Sequence, residues 1–436
     1  MDSVLYQQLK VSQIKRGKSV DILDDLVKLE EQWRIEKRVL DMLNKQANDI
    51  TKQYQTANDD RRLELTLISN SLKSKIQLQD VLVKNLFDEK DKILYSIGNI
   101  VHDLTPVSTN EEDNFVIRTW GTKPTIEHKK HHHELLYMIG GYDADMGAEV
   151  AGHRGYYLTG MGMLLNNAIV QYGLNFLVSK QYIPVQTPYF MKQNIMQKVA
   201  SLAEFDESLY KVTGNPEDEP MYLIATAEQP LTALNMNKSF TKTQLPIKYC
   251  GYSTNFRKEA GKHGKEAWGL FRVHQFEKIE QFVICEPDQS WEMMEEMIGV
   301  SEEFYQSLEL PYRVVDIVSG DLNNAAARKY DLEAWFPTLE RYRELVSCSN
   351  CTDYQSKRVN TKVGKEYVHM LNSTLTATER TLCCILENYQ TEKGIRVPEV
   401  LKPYLQAFTN DIIPYIKGPP KIGKVVKVKN NLISSI

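Results

Sequence analysis

The chain has 436 residues, 42% of them hydrophobic, and a formal net charge of −4. It contains no apolar run of membrane-spanning length and no secretory signal at its start, so we expect a soluble, cytoplasmic protein without a membrane partner. The length predicts two or three domains, and the slightly acidic balance argues against a chain that coats nucleic acid nonspecifically.

The first hundred residues have the composition of long helices. No proline precedes Pro106, and no glycine lies between Gly17 and Gly98, so nothing in this stretch breaks a helix. Apolar residues recur in steps of three and four from Ile22 to Tyr54, and only Glu36 interrupts them. This stripe predicts a coiled-coil helix, which at 1.5 Å per residue would be about 50 Å long.

A second, looser apolar stripe runs from Leu65 to Val101, and the polar segment 55–61 separates the two stripes. Two long helices joined by a short turn form an antiparallel hairpin. Between Lys28 and Lys92 the hairpin has 13 basic and 12 acidic side chains. This balance favours a self-contained hairpin with charged flanks, but basic pairs such as Lys37 and Arg38 also suit phosphate contacts.

The segment after the hairpin is interpreted as a connector. Residues 106–127 are rich in proline, threonine, asparagine and acidic residues. Histidines at positions 128, 131, 132 and 133 resemble a metal-binding tract. Because Lys129 and Lys130 would repel a cation there, we interpret them as part of a solvated connector with some packing histidines.

The remainder predicts an α+β domain on a mainly antiparallel sheet. Strand-like alternation occurs in 222–229, 247–256, 269–284 and 312–320, and a helical segment, 160–180, precedes the extended segment 183–190. We therefore divide the chain into a helical arm (1–105), a linker (106–127), an α+β domain (128–416) and a basic tail (417–436). The tail has five lysines and no acidic residue, which is typical of disorder.

The six cysteines all lie in the second half of the chain. Only Cys348 and Cys351 have metal-type spacing, and no second pair accompanies them. We expect reduced cysteines in or near a core, and no zinc.

The most informative segment is a predicted hairpin over residues 251–285. Alternation along its second strand places five side chains on one face, and Arg257 and Glu259 share a face of the first strand. The five are Arg272, His274, Phe276, Lys278 and Glu280. Such a face suits a nucleotide beside a zwitterion, or it is a solvent-facing sheet with many ion pairs; periodicity alone favours neither.

This hairpin resembles motif 2 of the class II aminoacyl-tRNA synthetases, through FRKE at 256–259 and GLFRVHQFEKIEQF at 269–282. The residues of this motif are similar to those of the seryl-tRNA synthetases of the eukaryotic cytosol. GHRGYYLTGMGMLLNNAIVQYGLNFLVSK with Pro188 resembles motif 1, and TAEQP resembles the serine-binding loop. RELVSCSNCTDYQ and LNSTLTATERTLCCILENYQ resemble the end of the catalytic sheet and motif 3, although the glycine-rich form of motif 3 is absent. The resemblance covers about 128–404, and the helical hairpin resembles the family's tRNA-binding arm.

The resemblance implies an ATP site with magnesium as cofactor. Arg257 would contact the α-phosphate and the serine carboxylate, Phe276 would stack on adenine, and Arg380 would contact the γ-phosphate. Glu344 and Ser347 would hold ATP and its Mg²⁺, for which carboxylate and hydroxyl oxygens are suitable ligands. Arg257, Glu344 and Arg380 are thus the implied catalytic residues. The implied ATP-binding residues are Arg257, Lys258, Glu259, Arg272, Val273, His274, Gln275, Phe276, Glu344, Leu345, Val346, Ser347 and Arg380. Glu259 would meet the adenine side, and Arg272 would either contact phosphate or pair with Glu259.

The resemblance also implies a serine pocket. Its residues would be Thr226, Ala227, Glu228, Arg257, Glu280, Asn372 and Thr374. A pocket that hydrogen-bonds the serine hydroxyl rejects alanine, because alanine leaves buried polar groups unpaired. None of these residues needs to act as a covalent nucleophile, since the serine carboxylate itself attacks the α-phosphorus.

The implied partners are L-serine, tRNA(Ser) and a second copy of the chain. The arm would recognise the long variable arm of the tRNA by shape and backbone. Lys37, Arg38, Lys262 and Lys265 are the expected tRNA contacts, and the motif 1 segment is the expected homodimer interface. No DNA partner is expected, and the resemblance leaves open whether tRNA(Sec) is also charged.

Two other functions would predict a different sequence. A synthetase-like paralogue that binds without charging should have lost one or more of Arg257, Glu259, Glu280, Glu344 and Arg380, and all five are present. A relative that aminoacylates a carrier protein should lack the long arm, and the stripes from Ile22 to Val101 argue against it.

Overall fold

The computed structural model describes residues 3–200, 208–214, 219–259, 269–409 and 411–420. Lys262, Lys265 and tail residues 421–436 therefore lie outside the described residues. The described chain forms two compact units. The first consists of residues up to Asp113 together with Val318–Ala327, and the second contains the rest.

The first unit is built on three helices, α1 (Ser3–Lys15), α2 (Asp21–Thr56) and α3 (Asp59–Ser96). The predicted pair of long helices is confirmed. The turn between them is shorter than the polar segment suggested, because Asn58 caps α3 by accepting a hydrogen bond from the backbone N–H of Arg61. At its other end α3 stops at Ser96, before the last residue of the predicted stripe, Val101.

Buried leucines of the two stripes form the seam of the hairpin. Leu26 and Leu40 of α2 and Leu65 and Leu72 of α3 are all less than a tenth exposed. Glu36, which interrupts the stripe, has a partner in the seam: the Gln79 amide donates to its carboxylate at 2.7 Å and to its carbonyl at 3.0 Å. The polar interruption is therefore satisfied by a side chain of the opposite helix.

A buried arginine organises the base of this unit. Arg16 is 3% exposed, and its guanidinium donates to the backbone carbonyls of Asn99, Leu322, Asn323 and Ala326 over 2.6–3.3 Å. Because guanidinium has five N–H donors in a fixed plane, one side chain can join three separate chain segments. This explains why Val318–Ala327 belongs to the first unit despite its distance in sequence.

The second unit contains nine further α-helices among the described residues. They are α4 (His132–Met138), α5 (Ala144–Ala151), α6 (Gly160–Ser179), α7 (Gln193–Val199), α8 (Glu228–Leu234), α9 (Ser290–Ser307), α10 (Tyr354–Val359), α11 (Thr378–Asn388) and α12 (Lys402–Leu405). Its strands are β1 (Phe115–Trp120), β2 (Tyr142–Asp143), β3 (Tyr157–Leu158), β4 (Ile183–Gln186), β5 (Phe190–Lys192), β6 (Lys211–Val212), β7 (Met221–Leu223), β8 (Ser239–Phe240), β9 (Ile247–Phe256), β10 (Gln275–Cys285), β11 (Tyr312–Asp316), β12 (Arg328–Phe336), β13 (Arg341–Asn350), β14 (Lys362–Val363), β15 (Glu366–Tyr367), β16 (His369–Ala377), β17 (Gly394–Arg396) and β18 (Ile412–Pro414).

Eight of these strands form one large sheet in the order β1-β11-β12-β13-β16-β10-β9-β4. Every pair is antiparallel except β4 with β9, so the predicted mainly antiparallel α+β fold is confirmed. Strand β1 lies inside the segment 106–127 that the sequence marks as a linker, and it pairs with β11. Helices α6, α9 and α11 pack against the sheet and enclose the main core with it; Leu165, Ile298 and Leu382 are completely buried there.

Three of the predicted strands are shorter than expected, among them 312–320, in which the strand ends at Asp316. In the segment 222–229 the strand ends at Leu223, and Glu228 begins a helix, because Pro230 is tolerated in a first helical turn and the Thr226 hydroxyl accepts the N–H of Glu228. In the segment 269–284 the strand begins only at Gln275. Arg272 and His274 therefore precede β10, and alternation does not set their directions.

The histidine tract contains a packing histidine, as expected. His132 begins α4 and is buried, with its Nδ1 2.9 Å from a carboxylate oxygen of Glu387 in α11. Among the described residues, no group of three or more histidine, cysteine, aspartate or glutamate side chains is arranged to hold a metal ion.

All six cysteines are buried and none forms a disulfide bond, as the sequence predicted. No helix among the described residues is both long and apolar enough to cross a membrane.

Candidate active site

One face of the large sheet collects most of the polar residues singled out in the sequence. Cross-strand partners share a face, and in β10 Glu280 lies opposite Gly251 of β9 and opposite Thr374 of β16. Asn372, two residues before Thr374, lies on the same face. We call this the polar face; the opposite face, to which Ile279 belongs, packs against the helices.

A bulge adds two more side chains to the polar face. In the β12–β13 pair, Glu333 lies opposite Glu344, Leu332 opposite Val346 and Asp331 opposite Ser347, so β13 contains one extra residue. Because Glu333 and Asp331 point the same way, their partners Glu344 and Ser347 do too, although they are three residues apart. The bulge thus brings the two implied magnesium ligands onto one surface.

Helix α8 sits directly on this face above a glycine. A Cβ atom at Gly251 would be 3.0 Å from the Ala227 Cβ and 2.7 Å from a methyl carbon of Leu231, so only glycine allows this approach. Since Gly251 is the cross-strand partner of Glu280, the Thr226-Ala227-Glu228 segment comes to lie over the carboxylate of Glu280.

A buried lysine joins this segment to the sheet. Lys278 forms an ion pair with Glu280, and its ammonium donates to the Thr226 hydroxyl at 2.8 Å. Burial raises the pKa of Glu280, and the positive charges of Lys278 and Arg257 oppose that effect. Alternation predicted that Lys278 lies on this face but assigned it no role.

Arg257 follows the end of β9 and faces the same region. Its Nε donates to the Ala225 carbonyl at 3.3 Å, and its guanidinium carbon lies 5.2 Å from the centre of the Phe276 ring. Burial lowers the pKa of Arg257, and the positive charge of Arg380 lowers it further. Two guanidinium groups that repel each other in this way make a site for a polyanion.

Arg380 lies in the first turn of α11. Its guanidinium lies 3.6 Å from the Glu344 carboxylate and donates to the carbonyls of Phe271 and Glu344 at 3.3 Å. Although burial would raise the pKa of Glu344, nearby cations, Arg380 foremost, hold it below its usual value. Glu344 is therefore an anion fixed next to the paired arginines.

Glu259 and Arg272 pair with each other, with atoms 3.4 Å apart, and Glu259 also lies 3.6 Å from Arg154. Arg272 was expected either to contact phosphate or to pair with Glu259, and the structure contains the pair with Glu259. His274 lies next to this pair, with its Nδ1 2.9 Å from the Arg257 carbonyl.

The remaining residues implied for ATP binding lie around the same region. Val273, Leu345 and Val346 are buried apolar residues, so they can contribute only backbone groups to a polar ligand. The N–H of Lys258 donates to the Ser208 carbonyl at 2.9 Å. Gln275 begins β10, and its carbonyl accepts a hydrogen bond from the Tyr156 hydroxyl at 3.0 Å.

Two implied tRNA contacts lie in the arm. Lys37 is 41% exposed and forms an ion pair with Asp41 one turn later, at 3.0 Å. Such exposed pairs are weak, so this pairing leaves Lys37 able to exchange its partner. Arg38 is exposed.

Sequence reasoning missed three side chains that support the site: Lys278, Arg154 and Gln355. Gln355, in α10, donates to the Glu228 carboxylate at 2.6 Å. No sequence spacing relates Gln355 to Glu228, because their contact depends on how α10 packs beside α8. Lys278 was within reach of the alternation argument, which already placed it beside Glu280.

The arrangement has two chemically different halves. Around Glu280, Thr374 and Asn372 are carboxylate, hydroxyl and amide groups, which suit a small molecule with an ammonium and a hydroxyl group. Arg257, Arg380 and Glu344 provide two cations and an anion beside an aromatic ring, which suits a nucleotide polyphosphate with its metal.

Family models match both parts of the chain. Residues 6–101 match the seryl-tRNA synthetase N-terminal domain. Residues 210–389 match the tRNA synthetase class II core domain (G, H, P, S and T), which includes the polar face and both arginines.

Individual relatives match over nearly the whole length. A serine–tRNA ligase of Helianthus annuus is 52% identical over 413 residues, covering 91% of this chain and 93% of the relative. The crystal structure of the cytoplasmic serine–tRNA ligase of Naegleria fowleri in complex with AMP matches with a TM-score of 0.80 and 47% identity, covering 94% of this chain and 96% of that one. The seryl-tRNA synthetase of Pyrococcus horikoshii complexed with ATP also has a TM-score of 0.80, with 37% identity over 95% of this chain and 99% of that one.

Proposed function

The chain belongs to the seryl-tRNA synthetase family, and we propose that the polar face of its large sheet is the active site in which serine and ATP meet. The enzyme activates L-serine with ATP, forming seryl-adenylate and pyrophosphate, and then transfers the seryl group to tRNA(Ser). The observation that supports this location best is the juxtaposition of Arg257 and Arg380 beside the buried carboxylate of Glu280.

Serine occupies the half of the site around Glu280. Its ammonium and hydroxyl groups contact Glu228, Glu280, Asn372 and Thr374, and Arg257 holds its carboxylate at the boundary with the nucleotide half. Alanine would leave these polar groups unpaired in a buried pocket, and threonine has an additional methyl group that the pocket must exclude by volume.

The nucleotide occupies the other half. Phe276 stacks on adenine, Arg257 contacts the α-phosphate and Arg380 contacts the γ-phosphate. A serine carboxylate oxygen attacks the α-phosphorus, the bond to the oxygen that bridges to the β-phosphate breaks, and pyrophosphate leaves with that electron pair. Arg257 stabilises the charge that develops on the α-phosphate, so the protein acts by positioning and electrostatics.

Magnesium would accompany ATP at Glu344 and Ser347. The donor set fits: a carboxylate held ionised by neighbouring cations and a hydroxyl lie on one surface beside Arg380. When bound, the ion would neutralise phosphate charge. Arg257 holds the phosphates at the α end, and Arg380 holds them at the γ end.

The arm (1–105) binds the tRNA outside the catalytic domain (128–416), with Lys37 and Arg38 as contacts. Lys262 and Lys265 approach the acceptor end. Charging of tRNA(Sec) by the same enzyme is a separate prediction. Aminoacylation of a tRNA(Sec) transcript tests it.

The active form is a homodimer joined through the motif 1 segment. Four large apolar side chains on α6 and the strands that follow it, Met163, Val178, Ile183 and Phe190, are each about half exposed, which is typical of a surface that a protein partner covers. The expected mass by light scattering is that of two chains. We infer a cytoplasmic location, as stated for the Naegleria fowleri relative.

Amino-acid-dependent exchange of labelled pyrophosphate into ATP tests this assignment of residues. We expect exchange with serine and not with threonine, alanine or glycine, and loss of exchange in Arg257→Ala and Glu280→Ala. If both folded variants kept wild-type exchange, the polar face would not be the active site.

A further inference from the structure

A second layer of side chains lies beneath the proposed serine pocket, in the segment from Cys351 to Gln355. The Asn372 amide donates to the Cys351 thiol sulfur over 3.5 Å, and Gln355 donates to Glu228. The segment is anchored by the Cys351 N–H, which donates to the Met370 carbonyl at 3.1 Å. One short stretch of chain thus touches two residues of the pocket from outside it.

We propose that Gln355 is a positioning residue that sets the orientation of the Glu228 carboxylate for the serine ammonium group. The inference rests on the proposed serine pocket. It assigns to the known reaction a residue that makes no contact with substrate and acts only through Glu228.

The geometry of the pair supports this role. Gln355 is 2% exposed, and its Nε2 lies 2.6 Å from the Glu228 carboxylate oxygen, a short bond with a charged acceptor. The terminal torsion of a glutamate has a broad, nearly twofold energy profile, so the carboxylate plane has little intrinsic preference. A fixed donor on one oxygen therefore determines where the other oxygen points.

The choice of a neutral donor matters. Glu280, the other carboxylate of the pocket, is held by the ammonium of Lys278, which offsets its charge. The Gln355 carboxamide orients Glu228 without adding a positive charge. A carboxylate oriented by a neutral amide keeps more of its attraction for an ammonium group than one paired with lysine.

The other end of the carboxamide argues against a purely stabilising role. The Gln355 Oε1 atom is buried and has no hydrogen-bond partner among the described residues. An unpaired buried acceptor destabilises the folded state by about 1–3 kcal/mol, so a glutamine here is a poor choice for stability alone. An apolar residue of similar size would avoid that cost, and would also lose the bond to Glu228.

The test compares Gln355→Met with Ser356→Ala in pyrophosphate exchange. Methionine approximates the size of glutamine and removes the donor. Ser356, the next residue in α10, is buried and donates to the Val368 carbonyl at 2.6 Å, so its alanine variant loses a buried hydrogen bond from the same helix without touching Glu228.

For Gln355→Met we expect the KM for serine to rise about tenfold or more, the effect of losing a bond to a charged group, while the KM for ATP stays within about twofold. Ser356→Ala should change the thermal midpoint and neither KM. Equal changes in both KM values for Gln355→Met, or no change in either, would overturn the proposal.

A double-mutant cycle with Glu228→Ala separates positioning from general damage. If Gln355 acts through Glu228, adding Gln355→Met to Glu228→Ala leaves kcat/KM for serine unchanged, because the group it orients is gone. If the two losses multiply, Gln355 acts by another route and the proposal is wrong. A wild-type enzyme without serine-dependent exchange would instead refute the proposed function itself.

Discussion

Replacing Gly251 by alanine should damage serine recognition selectively, because this glycine sets the distance between helix α8 and the sheet. A Cβ here would lie 3.0 Å from the Ala227 Cβ and 2.7 Å from a Leu231 methyl carbon. Carbon atoms in good contact are about 3.5–4.0 Å apart, so α8 must retreat by about 0.5–1 Å. Leu231 is completely buried and has little room to turn aside.

The expected cost has two parts. Overpacking of this size destabilises a folded protein by about 1–3 kcal/mol. A displacement of about 1 Å in residues that position a substrate lowers catalytic efficiency by up to about 100-fold, and here it affects Thr226 and Glu228. Phe276 and Arg380 do not rest on α8, so the KM for ATP should change less than the KM for serine.

The assay is pyrophosphate exchange with serine and ATP varied in turn, accompanied by thermal denaturation. The matched control is Gly299→Ala in α9, where an added Cβ meets nothing within 4 Å. That variant should be about 0.5–1 kcal/mol more stable, since alanine favours helix over glycine, with unchanged exchange. An unchanged KM for serine in folded Gly251→Ala would refute the reasoning. Partial recovery on adding Ala227→Gly would confirm the steric cause.

Three further predictions concern other parts of the molecule. Burial and the neighbouring Glu277 raise the pKa of Glu379 from 4.5 to about 7. The stability that Glu379 contributes is therefore full below about pH 4.5 and is lost as the pH rises to about 7. In Glu379→Gln, the urea midpoint measured between about pH 5 and 8 should no longer fall for this reason. Arg380→Lys keeps the charge but loses the planar donor pair, and should raise the KM for ATP more than that for serine in pyrophosphate exchange. Lys37→Ala combined with Arg38→Ala should raise the KM for tRNA in aminoacylation and leave exchange unchanged; an unchanged KM for tRNA excludes this patch as a contact.

The sequence was most informative where the local pattern determines the structure. The absence of proline and glycine and the spacing of apolar residues predicted both long helices of the arm, and the alternation in 247–256 matched β9 residue for residue. It could not predict what joins distant segments. The carbonyls that Arg16 binds become neighbours only in the folded chain. The same is true of the contact between Gln355 and Glu228.

Alternation failed at the start of β10 for an identifiable reason. Period two holds only within a continuous extended strand, and the chain around Arg272 and His274 is turned. Both residues nevertheless lie close to Arg257 and Glu259, because tertiary contacts place them there. The hairpin sequence therefore predicted which residues belong to the site, but not how they are arranged.

Two of the bulges in the sheet show how a regular framework supports an irregular set of functional side chains. In β13, Leu345 and Val346 are consecutive and both belong to the core, so Glu344 and Ser347 on either side of them face the polar surface. In β16, Thr376 lies opposite Ile279 of β10 and Thr374 lies opposite Glu280, which leaves Leu375 as the extra residue, completely buried in the same core.

In each strand two adjacent residues turn toward the helices, and the positions on either side, three residues apart, turn toward the polar face. In a strand without a bulge, residues three apart lie on opposite faces, so one of the two flanking residues would point into the core. The bulges thus set the spacing between side chains on the polar face at those two points. Apolar packing on the other face specifies where the bulges form.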